Sequence, residues 1–198
     1  MSFPPAALAL LVVSAVPPAT AAPPADVDAA VGALVEARVD AERAHLMRLG
    51  VWAGANVVAG AGLLVLARPE TSPLPTPATA LEGFAVQSLA WGAINLAIVG
   101  IGLAAAPPPT TTREAALQAE DDLGKVLWLN VGLDAGYTMA GAALLAASTS
   151  GAAPAEQWRS HGAGIAMQGL GLAALDVIAV WDSGPREEAL QALPPAVR

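Results

Sequence analysis

Polar residues that could bind a cation or carry a proton lie within apolar segments of this chain. Two of them, Asp134 and Asp176, are acidic. An ionisable group at the centre of a bilayer costs at least about 2.5 kcal/mol, so such groups face a protein interior and are functional candidates. The candidate ligand-binding residues of this polar layer are Asp134, Asp176, Asn56, Asn95, Gln87, Gln168, Asn130 and Tyr137.

The spacing of these residues places them on common helix faces. Asn130, Asp134 and Tyr137 follow one another at helical intervals, and two other triplets do the same: Gln87, Trp91 and Asn95, and Gln168, Leu172 and Asp176. Asn56, Asn95, Asp134 and Asp176 lie about 8 to 13 residues into their apolar segments, or about 12 to 20 Å deep at 1.5 Å per residue. We therefore expect one polar layer near the middle of a membrane.

The composition indicates a membrane protein. Of the 198 residues, 55% are hydrophobic and 13% are charged, about half the roughly 25% charged residues of a soluble domain. Four nearly uncharged segments approach the length of about 20 residues that spans a bilayer. The predicted fold is an all-α bundle of four transmembrane helices, at about 46–67, 83–106, 126–147 and 162–181.

Several classes of site are excluded or disfavoured. The chain has no cysteine, which excludes disulfides and thiolate metal sites, and its net charge of -8 argues against nucleic-acid binding. His45 and His161 have no second ligand at metal-binding spacing, so we interpret both as interfacial residues. No metal, cofactor or catalytic residue is expected.

Residues 1–21 are interpreted as a cleavable signal peptide. Ala6–Val16 is an apolar core too short to span a bilayer, and Ala19-Thr20-Ala21 is a small-residue cleavage site. A cleaved signal peptide would place the mature N-terminus outside, whereas the distribution of Lys and Arg places the same side in the cytoplasm. The cleavage site is the more specific pattern, and the orientation stays open.

The remainder reads as two tandem repeats, residues 26–106 and 111–182, followed by a polar tail at 183–198. Residues 36–56 align with 114–134, and 83–99 align with 164–180, which places Asn56 on Asp134 and Asn95 on Asp176. Each repeat has an amphipathic lead-in helix before its first span. Gly50-x3-Gly54 and Gly132-x3-Gly136 predict close helix contacts.

Several motifs resemble those of a known group. Gly50-Val51-Trp52-Ala53, Gln168-Gly169 and above all Asn130-x-Gly132-Leu133-Asp134-x-Gly136-Tyr137 are similar to an uncharacterised bacterial family of small multi-pass membrane proteins, a domain of unknown function. The resemblance covers most of residues 36–182. It implies a membrane location, for which we expect the bacterial inner membrane, and no established activity.

Three hypotheses follow for an integral membrane protein of unknown role. In the first, the polar layer binds or conducts a small cation, a proton or a polar solute. In the second, the layer only fixes helix packing, and the chain is a structural module in the bilayer. Its lead-in helices, at residues 28–45 and 112–125, then project from the same membrane face, and their apolar stripes bind a partner, either a further copy or another membrane protein. The third, an intramembrane aspartyl enzyme with Asp134 and Asp176 as its dyad, is least favoured because Gly132-Leu133-Asp134 lacks the expected G-x-G-D pattern.

Overall fold

Four long helices make up the part of the chain that the structure describes. The computed structural model describes residues 24–67, 80–105, 112–151 and 154–195, and the predicted signal peptide lies outside them. The helices are α1 (Pro24–Ala67), α2 (Ala80–Ala104), α3 (Arg113–Ala147) and α4 (Ala155–Ala192). The prediction of an all-α protein with four helices is confirmed.

Within the described residues, three of the helices, α1, α2 and α4, are long and apolar enough to cross a membrane. Helix α3 is not among them, because Asn130, Asp134, Tyr137 and Thr138 interrupt its apolar sequence. The outer surface carries large apolar side chains such as Val58, Ile101 and Trp181, whereas polar side chains such as Asp134 and Gln168 are buried. Such an inverted surface is suited to lipid.

The N-terminal parts of α1 and α3 and the C-terminal part of α4 form a small cluster at one end of the molecule, which we call the lead-in bundle. Val31, Ala116 and Leu190 are buried in its centre, one from each helix. Arg113 donates hydrogen bonds to the carbonyl oxygens of Leu190 and Gln191 at 2.8 and 3.0 Å. This packing explains why the polar tail continues α4 as helix to Ala192 even though it contains Pro185.

Glycines set the contact between successive helices. A Cβ atom at Gly92 of α2 would lie 2.8 Å from the carbonyl oxygen of Ala53 in α1, and one at Gly169 of α4 would lie 2.6 Å from that of Asp134 in α3. The predicted close contacts at Gly54, Gly132 and Gly136 are wrong, since a Cβ there would meet nothing within 4 Å in the described part of the chain. Those three glycines face away from the partner helix.

We expect Gly169→Leu to destabilise the α3–α4 hairpin by at least about 1 to 3 kcal/mol, because the new side chain must push two backbones apart. Gly136→Leu is the matched control, since its side chain enters open space. Thermal unfolding of the purified variants in detergent measures the difference. Equal melting temperatures for both variants would contradict the packing described here.

Candidate functional site

A cleft of about 560 Å³ lies between α2 and α3. Residues of α1 and α4 form its floor, so all four helices contribute to it. At its inner end Trp91 and Tyr137 meet edge to face, with ring centroids 4.7 Å apart. At its other end the cleft reaches Ala105 and Leu123, beside the lead-in bundle. The cleft therefore connects the polar interior with one end of the molecule.

Two carboxyl groups, Asp134 of α3 and Asp176 of α4, lie together in this cleft and form what we call the acidic pair. Both are buried, with 4% and 7% of their surface exposed. His45 of α1 lies beside them, with its Nε2 atom 3.1 Å from Asp176 Oδ1, and can donate a hydrogen bond to that oxygen. Three helices thus converge on the acidic pair.

One oxygen of the acidic pair is left without a hydrogen bond. Asp134 Oδ2 is buried and has no partner among the described residues, and the same is true of the amide nitrogen of Asn95. Both residues line the cleft. Since buried polar atoms are normally hydrogen-bonded, an unused acceptor and an unused donor at one cleft are features of a binding site.

The acidic pair favours a positively charged partner. Two adjacent carboxylates repel each other strongly where the surroundings are apolar, and a cation or a shared proton removes that repulsion. Asn130 and Tyr137 line the same cleft and carry oxygen atoms that suit a cation.

A second polar group, which we call the amide network, lies deeper in the bundle. Trp52 Nε1 donates to Gln168 Oε1 at 3.2 Å, and Gln168 Nε2 donates to Asn56 Oδ1 at 2.5 Å. Asn56 Nδ2 in turn donates to the carbonyl oxygen of Trp52 at 2.8 Å. Gln168 is fully buried, and neither amide side chain lines the cleft. These two amides hold α1 against α4 and need no ligand.

The eight predicted residues therefore fall into two groups. Asp134, Asp176, Asn95, Asn130 and Tyr137 line the cleft, whereas Asn56, Gln168 and Gln87 do not. Gln87 contacts His161 instead, with Nε2 and Nδ1 3.1 Å apart. Sequence reasoning missed His45, which it placed at the membrane interface. The helical spacing of His45, Leu49, Trp52 and Asn56 was a signal that His45 faces the interior.

Replacement of Gln168 by leucine tests the division into two groups. We expect it to lower the free energy of unfolding by about 0.6 to 2 kcal/mol, the range for hydrogen bonds between membrane helices, and to leave ligand binding in the cleft unchanged. The same replacement at Gln157, which is exposed on the same helix, is the control. Loss of ligand binding by a stably folded Gln168→Leu variant would show that the amide network is part of the binding site.

Ion pairs surround the mouth of the cleft. Arg186 of α4 donates two hydrogen bonds to the carboxylate of Glu120, at 2.8 and 3.2 Å, and a third to the carbonyl oxygen of Asp182 at 2.6 Å. Arg48 of α1 pairs with the side chain of Asp182 at 3.2 Å. Glu42 pairs with Arg38 one turn earlier in α1. Most of the charge at the mouth is therefore compensated, unlike that of the acidic pair.

Comparison with known proteins identifies a family. A family described as a family of unknown function (DUF6992) matches residues 48–177, and the chain therefore belongs to it. The match includes the acidic pair and the amide network. No curated protein and no solved structure matches the chain.

Proposed function

We propose that this chain is an integral membrane protein that binds a small cation, or a proton in its place, between Asp134 and Asp176. The observation that carries the proposal is the buried acidic pair in the wall of a cleft, with Asp134 Oδ2 lacking a hydrogen-bond partner among the described residues. Asp176 has a donor on a neighbouring helix in His45. Asp134 Oδ2 has none among the described residues, whereas the side-chain oxygens of the amide network each accept a hydrogen bond.

Each residue at the cleft has a distinct role in this proposal. The carboxylates of Asp134 and Asp176 neutralise the cation, and Asn130 and Tyr137 supply further oxygen atoms. His45 donates to Asp176 and holds its carboxyl group in place.

Several finer features belong to the same proposal. The chain consists of two tandem repeats with lead-in helices, behind a cleaved signal peptide, in a bacterial inner membrane. The repeat is supported by the burial of all four aligned polar residues, Asn56 with Asp134 and Asn95 with Asp176. The apolar stripes of the lead-in helices pack within the chain, so they do not themselves call for a partner protein.

Calorimetric titration of the protein in nanodiscs with sodium, potassium and methylammonium ions tests the proposal. We expect saturable binding of at least one ion by the wild-type protein, and none by the Asp134→Asn, Asp176→Asn double variant. Asp122→Asn is the control, because Asp122 is exposed on the lead-in part of α3. If wild type binds none of the ions and releases no proton, the acidic pair is a packing device and the structural alternative replaces the proposal.

A further inference from the structure

We propose that the cation bound by the acidic pair is the head group of an alkylammonium amphiphile, which enters the cleft sideways from the bilayer between α2 and α3. This inference rests on the proposed function and names the class of its ligand. It follows from three features of the cleft: its lateral opening, the composition of its walls and the aromatic pair at its inner end.

The cleft opens laterally because the backbones of α2 and α3 stand apart, and their side chains meet where Trp91 contacts Tyr137. Within the described ranges, α2 packs on α1 and α4, whereas α3 packs mainly on α4, and the backbones of α2 and α3 do not approach. Ile94 and Ile98 of α2 and Leu133 of α3 form what we call the lips. They line the cleft, yet 51%, 48% and 47% of their surfaces are exposed. The lips therefore face both the cleft and the lipid.

The lips and the acidic pair have opposite chemistry. The lips are apolar, and lipid chains already solvate side chains of this kind. The acidic pair carries two carboxyl groups, and Arg186, the arginine among the described residues that line the cleft, is already paired with Glu120. An alkyl chain between the lips would remain in apolar surroundings while its charged head reached Asp134 and Asp176. A fully hydrated ion would gain nothing from an apolar lateral opening. An anion would be repelled by the two carboxylates of the acidic pair.

The aromatic pair suits an ammonium group. Trp91 and Tyr137 line the inner end of the cleft, within one turn of Asn95 and Asp134 along their helices. Ammonium groups bind the faces of tryptophan and tyrosine rings through cation–π attraction, most strongly when water is excluded. The aromatic pair and the acidic pair together therefore favour an organic ammonium head group over a metal ion.

Binding of two ions that differ only in chain length tests the inference. The binding of radiolabelled dodecylammonium and of radiolabelled methylammonium is measured on wild-type protein in phosphatidylcholine nanodiscs that hold one copy each. The amount of each ion that empty nanodiscs take up is subtracted. We expect dodecylammonium to bind at least about tenfold more tightly. Ile98→Trp should weaken dodecylammonium binding about tenfold by narrowing the opening, and should leave methylammonium binding unchanged. The retained methylammonium binding shows that this variant is folded.

Two controls make the outcomes distinct. Ile101 lies on the same helix, has 73% of its surface exposed and does not line the cleft. Ile101→Trp should therefore change neither affinity. Leu133→Trp, on the opposite lip, should repeat the Ile98→Trp result.

Equal affinities for the two ions would overturn the inference and leave the proposed function standing, whereas binding of neither ion would overturn both. If the protein dimerises at higher loading and Ile98→Trp abolishes the dimer, the lips are an interface between copies and the inference is wrong.

Discussion

Replacement of Glu120 by alanine is expected to lower the free energy of unfolding by about 3 to 5 kcal/mol, the cost of leaving one partner of a buried ion pair unpaired. Glu120 is 2% exposed, and its two hydrogen bonds to Arg186 join α3 to α4 inside the lead-in bundle. Without Glu120 the guanidinium group of Arg186 keeps, among the described residues, only its hydrogen bond to the carbonyl oxygen of Asp182. The buried positive charge then opposes packing around Leu190.

Chemical unfolding followed by circular dichroism measures this loss, with Asp182→Ala as the matched control. Asp182 pairs with Arg48, but both side chains are substantially exposed, so its removal should cost only about 0 to 1 kcal/mol. The combined variant Glu120→Leu, Arg186→Met should recover most of the stability, because both charges are then absent. Similar losses for Glu120→Ala and Asp182→Ala would show that the Glu120–Arg186 pair is not buried in solution.

Single replacements in the acidic pair should have the largest effect on function. We expect Asp134→Asn and Asp176→Asn each to weaken cation binding by at least about 30-fold, since loss of one partner of a buried charge pair costs about 2 to 5 kcal/mol. The asparagine side chain keeps the size and much of the hydrogen bonding of aspartate. The expected loss therefore comes from charge and not from altered packing.

The stability of the same two variants separates the functional from the structural interpretation. Removal of a negative charge relieves repulsion within the acidic pair, so both variants should unfold at the same or a higher temperature than wild type. Asp182→Asn, at the mouth of the cleft, should change ion affinity little because its partner is Arg48. Lower stability with unchanged ion binding in the Asp134 and Asp176 variants would contradict the proposed site.

The helical periodicity of the sequence was sufficient to predict that the polar residues face the interior. It could not predict which of them lie at the same depth. Gln168 and Asp176 share a helix face, but they are eight residues apart, which is about 12 Å along the helix axis. Gln168 therefore belongs to the amide network, whereas Asp176 lines the cleft. Depth depends on how far each helix is shifted against its neighbours, and glycines such as Gly92 and Gly169 mark the points where the backbones come closest.

The lead-in bundle shows a second limit of sequence reasoning. The apolar stripe of the first lead-in helix was visible, but its partners Ala116 and Leu190 lie far away in the sequence. The tail also contains Pro185, which normally argues against a continuing helix. Only tertiary contacts, the burial of Leu190 and the hydrogen bonds from Arg113, explain why α4 extends through it.

Infrared difference spectroscopy of the carboxyl groups tests the central claim most directly. The purified protein in lipid would be titrated with pH, with and without the bound cation, for wild type and for the Asp134→Asn and Asp176→Asn variants. We predict that a carboxyl band assigned to the acidic pair by these variants titrates reversibly and changes when the cation is added. If the carboxyl groups stay protonated and their infrared bands do not change at any pH, with or without the cation, the claim that this cleft binds a positive charge is contradicted.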